Sequence, residues 1–309
     1  MDAEVVVAGA GPVGSALTLQ LRRGGVRTVL LDKATFPRDK PCGEGLLPSG
    51  VAVLRSVGVD LGELGFPSLD GVRYRVPGRG WARGRFAGAA FGVRRLRLDA
   101  LLAAAAEATT GVGVHDLRPV SGGWRLDTDR GPVTAPIVVA ADGVRSSIRR
   151  RLGWDGGATA SRRFGLVGHL RAAGHRRHEI VVTLLGEVET YLAPAGVDEL
   201  LLAVLGERGR LRLPRASVAD SYRAFVERAH PDLAGCEVLH AVQGAGPFGV
   251  RPRRVAGGGV FLCGDAAGFL DPLTGDAMAA GLVQSAVLAA LLIRDPRTAA
   301  PAYRRYCAG

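Results

Sequence analysis

The 309-residue sequence predicts an α/β fold, a parallel sheet flanked by helices and assembled from separate stretches of chain, with an inserted and mainly antiparallel β domain. Three observations carry that expectation. Residues 4–14, EVVVAGAGPVG, run an apolar strand directly into Gly9-x-Gly11-x-x-Gly14 and then into a helical pattern over 15–23. Residues 257–281, GGGVFLCGDAAGFLDPLTGDAMAAG, end another buried strand at Gly264 and Asp265 and pass through Gly- and Pro-kinked backbone into a helix. Between these ends, from residue 162 to 242, short β-like segments replace the alternation of strand and helix.

The first stretch has the flanks that give a glycine string its physics. Its glycines serve a tight turn, close approach of a diphosphate and close helix packing, and the helix N-terminus favours an anion. A strand over 28–31 follows and ends in Asp32, near the spacing of about 20 residues after the glycines at which a ribose-binding acid stands. These features make the sheet Rossmann-like and the site dinucleotide-binding. An Asp at this position leaves NAD and FAD both open.

The remaining elements follow in order. A Pro- and Gly-rich segment over 35–49 precedes a short helix at 51–57, then strands near 71–76 and 90–93. The Ala- and Leu-rich run 98–109 reads as a helix. Strands near 112–117, 124–128 and 133–140 come next, the last ending at Asp142-Gly143 before a basic helix over 146–152. Strands at 165–171, 179–185, 190–193 and 200–205, with one helix over 218–228, suit an antiparallel sheet laid against the dinucleotide domain. A second GxGxxG string, Gly244 to Gly249, is followed by no helix and reads as a turn. The apolar run 277–293 carries Gln284 and Ser285 and is shorter than the roughly 20 residues of a bilayer span, so a buried helix and no transmembrane segment are expected. The boundaries drawn from this pass are 1–70, 96–160 and 255–309 for a discontinuous cofactor domain, and 71–95 with 161–254 for a substrate-binding β-sheet domain.

With 47% hydrophobic residues, the chain has ample material for a core and is neither disordered nor fibrous. The net charge of +11 comes almost wholly from Arg, with Lys only at positions 33 and 40. The arginines are scattered through turns and helix faces, so no nucleic-acid partner is expected, while peripheral contact with a membrane surface is compatible with the charge. Cys42, Cys236, Cys263 and Cys307 have no CxxC spacing, and the His residues no ligand spacing, so neither a zinc site nor a disulfide framework is indicated. A first strand beginning by Glu4 leaves no room for a signal peptide, and a cytoplasmic location is expected. Oligomeric state is not legible.

Taken together, GAGPVG at 9–14 with Asp32, DGVRS at 142–146, and GDAA at 264–267 followed by Pro272 and Gly275 resemble the FAD-dependent oxidoreductases of the para-hydroxybenzoate hydroxylase-like superfamily, which includes group A flavin monooxygenases and a geranylgeranyl reductase-like branch. The resemblance spans most of the chain. It implies that FAD is the cofactor. Gly9, Gly11, Pro12 and Gly14 would lie on its diphosphate, Asp32 would bind the adenosine ribose and Asp265 the ribityl chain, with Lys33 and Asp142 among the cofactor-binding residues. Pro272, Gly275, Ala277 and Met278 would run beside the isoalloxazine. Arg95 looks like the family's arginine at a helix start, which contacts the flavin phosphate or ribityl region. The KPCGEG segment at 40–45 is similar to the reductase-like branch, in which a Cys-Gly turn, here Cys42-Gly43, approaches the flavin. Cys42 and Glu44 are the catalytic candidates. The plainer alternatives are a Cys42 that is merely small and a Glu44 that is an exposed loop carboxylate.

The resemblance implies an enzyme using NAD(P)H as a transient electron donor. The leading expectation is a monooxygenase of a hydrophobic or aromatic small molecule; the alternative is a flavin reductase of isoprenoid or polyketide double bonds, and a third reading is a shortened flavin-binding protein without catalysis. Several departures bear on that choice. Gly268 stands where the monooxygenases often carry His, Asp276 and Ala277 replace the usual terminal glycine pattern, and the chain ends at Gly309 where relatives commonly continue. The tryptophan-rich motif of flavin-dependent halogenases is absent.

Overall fold

The computed structural model describes residues 1–158, 163–175, 177–211, 216–269, 271–272 and 275–308. Its helices are α1 (Pro12–Arg23), α2 (Pro48–Ser56), α3 (Arg95–Ala105), α4 (Ser147–Arg151), α5 (Val218–Ala229), α6 (Ala277–Arg294) and α7 (Ala299–Ala308). The first strand, Val5–Ala8, is buried at every position, as a strand covered on both faces requires. It lies inside a six-stranded sheet ordered Ala256–Gly257, Val260–Leu262, Ile137–Ala140, Val5–Ala8, Thr28–Asp32 and Thr109–Thr110. Neighbours run parallel throughout except for Ala256–Gly257 against Val260–Leu262.

Register decides where the chemistry falls. Ala8 pairs with Ala140 and Ala140 with Leu262, so three adjacent strands end side by side. The backbone that follows each, Gly9, Ala141-Asp142 and Cys263-Gly264, therefore emerges at one carboxyl edge, where ligands bind in sheets of this kind. One face of the sheet packs Val5, Val7 and Val139 against Leu17 and Leu21 of α1, Leu288 and Leu292 of α6, and Tyr303 of α7. The other packs Val6, Val138 and Leu262 against Leu117 and Leu126 of a three-stranded antiparallel sheet, Val114–Val120, Gly123–Thr128 and Gly131–Ala135.

The second large sheet has eight strands, ordered Gln243–Ala245, Arg163–Arg171, Glu199–Glu207, Val188–Pro194, Glu179–Leu184, Ser68–Val76, Gly80–Gly92 and Gly45–Leu46. All its pairs are antiparallel but one, Glu179–Leu184 with Ser68–Val76. Helix α5 covers one face with Tyr222, Phe225 and Val226, and the buried Tyr222 hydroxyl donates to the Leu202 carbonyl at 3.0 Å. The opposite face presents Tyr191, Ala193, Ala203 and Leu201. The fold is thus an α/β Rossmann-like domain joined to a mainly antiparallel sheet.

Four local expectations differ from what forms. The run 133–140 is split between two sheets at Pro136, whose missing N–H cannot continue a ladder. Helix α3 stops at Ala105 because Thr109 and Thr110 pair with Leu31 and Asp32 at the sheet edge. The second glycine string is not a simple turn: Gln243–Ala245 adds an edge strand to Arg163–Arg171. The eight-stranded sheet also recruits Gly45–Leu46 and Ser68 onward, residues on the cofactor side of the boundary drawn at 70. Helix α6 is long and apolar enough, by length and composition alone, to cross a membrane. In this fold Gly281 lets it approach α1 closely, since a Cβ there would sit 2.8 Å from Val13 Cγ2.

Candidate functional site

Gly9 leaves the first strand with φ +109, and a Cβ on it would lie 2.3 Å from the Ala141 carbonyl oxygen. A Cβ on Gly14 would lie 1.8 Å from the Gly9 oxygen. Neither position admits a side chain. Gly11 differs: its nearest neighbours would be the guanidinium nitrogens of Arg38 at 3.7 Å and Arg95 at 4.0 Å. The space over Gly11 is therefore bounded by two cations and by the bare N-terminus of α1, which has Pro12 in its first turn and no acid there. That combination favours an anion.

Asp32 is buried at the end of the second strand. Its Oδ2 accepts from the Ala10 N–H at 2.7 Å and its Oδ1 from the Ala34 N–H at 2.8 Å, which leaves further lone pairs for hydroxyl donors. Arg38 lies 3.9 Å from Asp32 and 3.0 Å from Asp99. Arg95 forms a fork on Asp99 at 2.7 and 2.8 Å, so a helix-start arginine expected to meet phosphate is held on a carboxylate of its own helix. Burial opposes the charge on Arg95, but Asp99 and the neighbouring Cys42 thiol outweigh it and its pKa is raised. Lys33 is exposed, just beyond the strand.

At the other two strand ends the turns are tied to each other. Asp142 Oδ2 accepts from the N–H groups of Ser147 and Ile148 at 2.8 and 3.4 Å, capping α4, while its buried Oδ1 has no partner. The buried Arg149 donates to the carbonyls of Val144 at 2.8 Å and Ala266 at 3.0 Å, and lies 2.6 Å from Asp155. It locks the DGVRS turn to the GDAA turn, a role visible in sequence only as one arginine among three. Gly264, with φ +64, donates to Gln284 Oε1 of α6 at 2.6 Å, and Asp265 faces Lys40 Nζ at 3.9 Å. Pro272, Ala277 and Met278 are half-buried around the start of α6, and Gly275 has φ +67. Residues 273 and 274 of the predicted flavin-side segment lie outside the described residues.

The Cys42 to Gly45 loop corrects the sequence reading most. Glu44 is not an exposed loop carboxylate: it is 1% exposed, with φ +58. Its Oε1 accepts from the Arg95 N–H at 2.8 Å and lies 3.3 Å from Arg94 Nη1, and its Oε2 lies 3.0 Å from His169 Nε2. Arg94 also forks onto Asp39 at 2.8 and 2.9 Å and sits 2.8 Å from Glu199 Oε1. Burial works against the Arg94 charge, but these three carboxylates prevail and raise its pKa. Asp39 is lowered in turn: burial opposes its charge, but the hydrogen bonds and charge of Arg94, with the Lys40 N–H, together outweigh it. Three carboxylates, the Arg94 guanidinium and the His169 ring are thus gathered between the loop, the start of α3 and two strands of the eight-stranded sheet.

Over this loop stands Tyr191, a residue the sequence analysis did not single out. A Cβ on Gly45 would be 2.3 Å from its hydroxyl, on Gly43 3.1 Å from its ring, and on Gly275 3.3 Å from its ring. Its buried hydroxyl has no hydrogen-bond partner among the described residues. Burial, with Cys42, Tyr74 and Glu44 nearby, pushes its pKa above the ordinary phenol value, so it remains a donor. Alternation along Val188–Pro194 is the only sequence signal for its orientation.

The sequence profile described as FAD binding domain matches residues 2–65. A menaquinone reductase of Mycobacterium tuberculosis is 32% identical over 323 residues, covering 94% of this chain and 76% of that protein. The chain belongs to the FAD-dependent oxidoreductases of the para-hydroxybenzoate hydroxylase-like superfamily. A digeranylgeranylglycerophospholipid reductase of Methanothermobacter thermautotrophicus is 26% identical, covering 91% of this chain and 74% of its own length. Among solved structures, a flavoprotein/dehydrogenase of Cytophaga hutchinsonii shares the fold with a TM-score of 0.86 at 21% identity, over 94% of this chain and 78% of that one. The open cradle over Gly11, the unsaturated Asp32 carboxylate and the flanking guanidinium groups fit an adenine dinucleotide.

Proposed function

We propose that this FAD-dependent oxidoreductase reduces carbon–carbon double bonds of a polyprenyl-type hydrophobic substrate. The observation that carries the reading is the 32% identity to a reductase over almost the whole chain. Two features of the chain agree with it: Gly268, and the Cys42–Gly43 turn set directly beneath Tyr191. Digeranylgeranyl lipids and menaquinones both carry polyprenyl chains, which supports the substrate class.

In this reading Gly9, Gly11, Pro12 and Gly14 admit the diphosphate, with Arg38 and Arg95 beside it. Asp32 accepts from the adenosine ribose and Asp265, with Lys40, lies along the ribityl chain. Bound FAD supplies two-electron redox chemistry. Gly43, Gly45 and Gly275 keep backbone close to the Tyr191 ring, and that buried hydroxyl is a donor available to the reacting end of the substrate. The Glu44 cluster keeps the Cys42–Gly45 loop against the sheet. NAD(P)H has no second Rossmann site among the described residues, and we assign it a transient role as electron donor.

The competing reading is the monooxygenase favoured by the sequence signatures, in which one atom of O₂ enters a hydrophobic or aromatic product. One experiment separates them. The FAD-loaded protein is reduced, given a polyprenyl quinone or polyprenyl lipid, and its products are weighed by mass spectrometry, anaerobically and under labelled oxygen. Gain of two hydrogens per double bond without oxygen supports the reductase; label in the product under labelled oxygen, with no anaerobic saturation, overturns it.

A further inference from the structure

We propose that the hairpin Ser68–Val76/Gly80–Gly92 is a docking surface for an anionic phospholipid bilayer. Charge and exposure mark this surface independently of the reductase reading.

The register makes the patch. Gly71 pairs with Arg85, Arg73 with Arg83 and Arg75 with Trp81, so cross-strand partners bring Arg73, Arg75, Arg83 and Arg85 to the same face as Trp81. Along the sequence these arginines stand at every second position and look scattered. Pairing gathers them, and Arg79 adds another cation in the exposed turn. Glu179 binds both Arg73 and Arg83, and the half-buried Arg75 donates to the Ala229 carbonyl, so the exposed Arg79 and Arg85 carry the patch's outward charge, with Asp70 at the base.

Trp81 decides between a solvated edge and a docking site. Arginines along an edge strand are a common defence against strand addition. They do not account for a tryptophan that is 65% exposed, the most exposed aromatic residue of the chain's described part, with the Arg73 guanidinium over its ring at 5.2 Å. On the opposite face near the tip is Tyr74, also exposed. Aromatic rings beside cations are the composition of a segment that lies at a lipid headgroup layer. The strand Gly80–Gly92 bonds to Gly45–Leu46 only through Phe91 and Gly92, so most of its outer edge meets no other strand, and Ala82, Gly84, Ala87, Gly88 and Ala89 keep it thin.

A groove of about 420 Å³ runs along this edge, with Arg83, Arg85 and Asp70 at its polar side and Leu69, Phe86 and Ala90 on its floor. The two guanidinium groups suit a phosphodiester. Leu69 and Ala90 are themselves buried, in the same apolar core cluster as Tyr191.

The test is co-sedimentation of the full FAD-loaded chain with phosphatidylcholine vesicles, with and without about one-third phosphatidylglycerol. Binding to the anionic vesicles alone, weakened at high salt, is expected. Arg79→Ala and Arg85→Ala should each lower the partition coefficient about fivefold, and Trp81→Ala about tenfold, with circular dichroism and FAD content unchanged. Equal binding to neutral vesicles, no binding at low salt, or variants that partition like the parent would overturn the proposal. So would a change in sedimentation coefficient between Trp81→Ala and parent without vesicles, which would assign the hairpin to self-association of this chain.

Discussion

Replacing Glu44 by Ala should destabilise the protein by about 3 kcal/mol, near the lower end of the range for breaking a buried ion pair. The structure sets that choice. Removing the carboxylate strips a partner from the Arg95 N–H at 2.8 Å and from His169 Nε2 at 3.0 Å. Arg94, however, keeps its fork on Asp39 and its contact with Glu199, so no bare cation is left inside. Glu44→Gln retains an acceptor for the Arg95 N–H but loses the charge and turns an amide NH2 toward His169, so about 1 to 2 kcal/mol is expected. Glu44→Gly should be milder than Ala by up to about 1 kcal/mol, because the φ of +58 strains any residue with a Cβ. The assay is urea unfolding of each FAD-saturated variant, comparing midpoints at constant m-value. An Ala variant within about 0.5 kcal/mol of the parent, or a Gln variant as damaged as Ala, would show that the cluster does not hold the loop.

Other perturbations test other parts. Asp32→Ala should weaken FAD about 10- to 100-fold by fluorescence titration, since the carboxylate is placed to serve both the turn and a ribose. Gly14→Ala should give no folded flavoprotein, because its Cβ would fall 1.8 Å from the Gly9 oxygen; a soluble, yellow variant would contradict the geometry. Tyr191→Phe should leave the unfolding midpoint within about 1 kcal/mol of the parent, since the hydroxyl bonds to nothing among the described residues, while raising KM for the reducible substrate. His230 has its pKa lowered to about 4, by burial first and then by Arg75 and Arg177. The neutral form is the one folded, so its contribution is complete above the unfolded value near 6.5 and is lost as pH falls toward 4, to a total of roughly 3 kcal/mol. His230→Leu should flatten that part of the stability–pH curve, and an unchanged slope would rule the residue out.

What could be read in the sequence tracks how far apart the interacting residues lie along it. The glycines at 9, 11 and 14 act within one turn, and Gly14 is required by an atom of Gly9 itself, so residue type alone exposes the constraint. Asp32 reaches Ala10 across 22 positions, but one βαβ unit fixes that separation, and the strand-end acid was legible too. Glu44 meets Arg94, Arg95 and His169 across 50, 51 and 125 positions, through a topology that brings a loop, a helix start and a distant strand together. No local pattern encodes such an encounter, and a glutamate in a Gly-rich loop reads by default as solvated. The same holds for Tyr191, which lies among alternating apolar residues, and for the hairpin arginines, which only strand register collects. Asp142 shows the converse hazard: its signature is recognisable, yet one oxygen is committed to capping α4 and only the orphaned Oδ1 is left to meet a ligand. A motif therefore fixes where backbone turns toward the cofactor more firmly than it fixes which side-chain atom touches it, because turns are local and the competing partners are not.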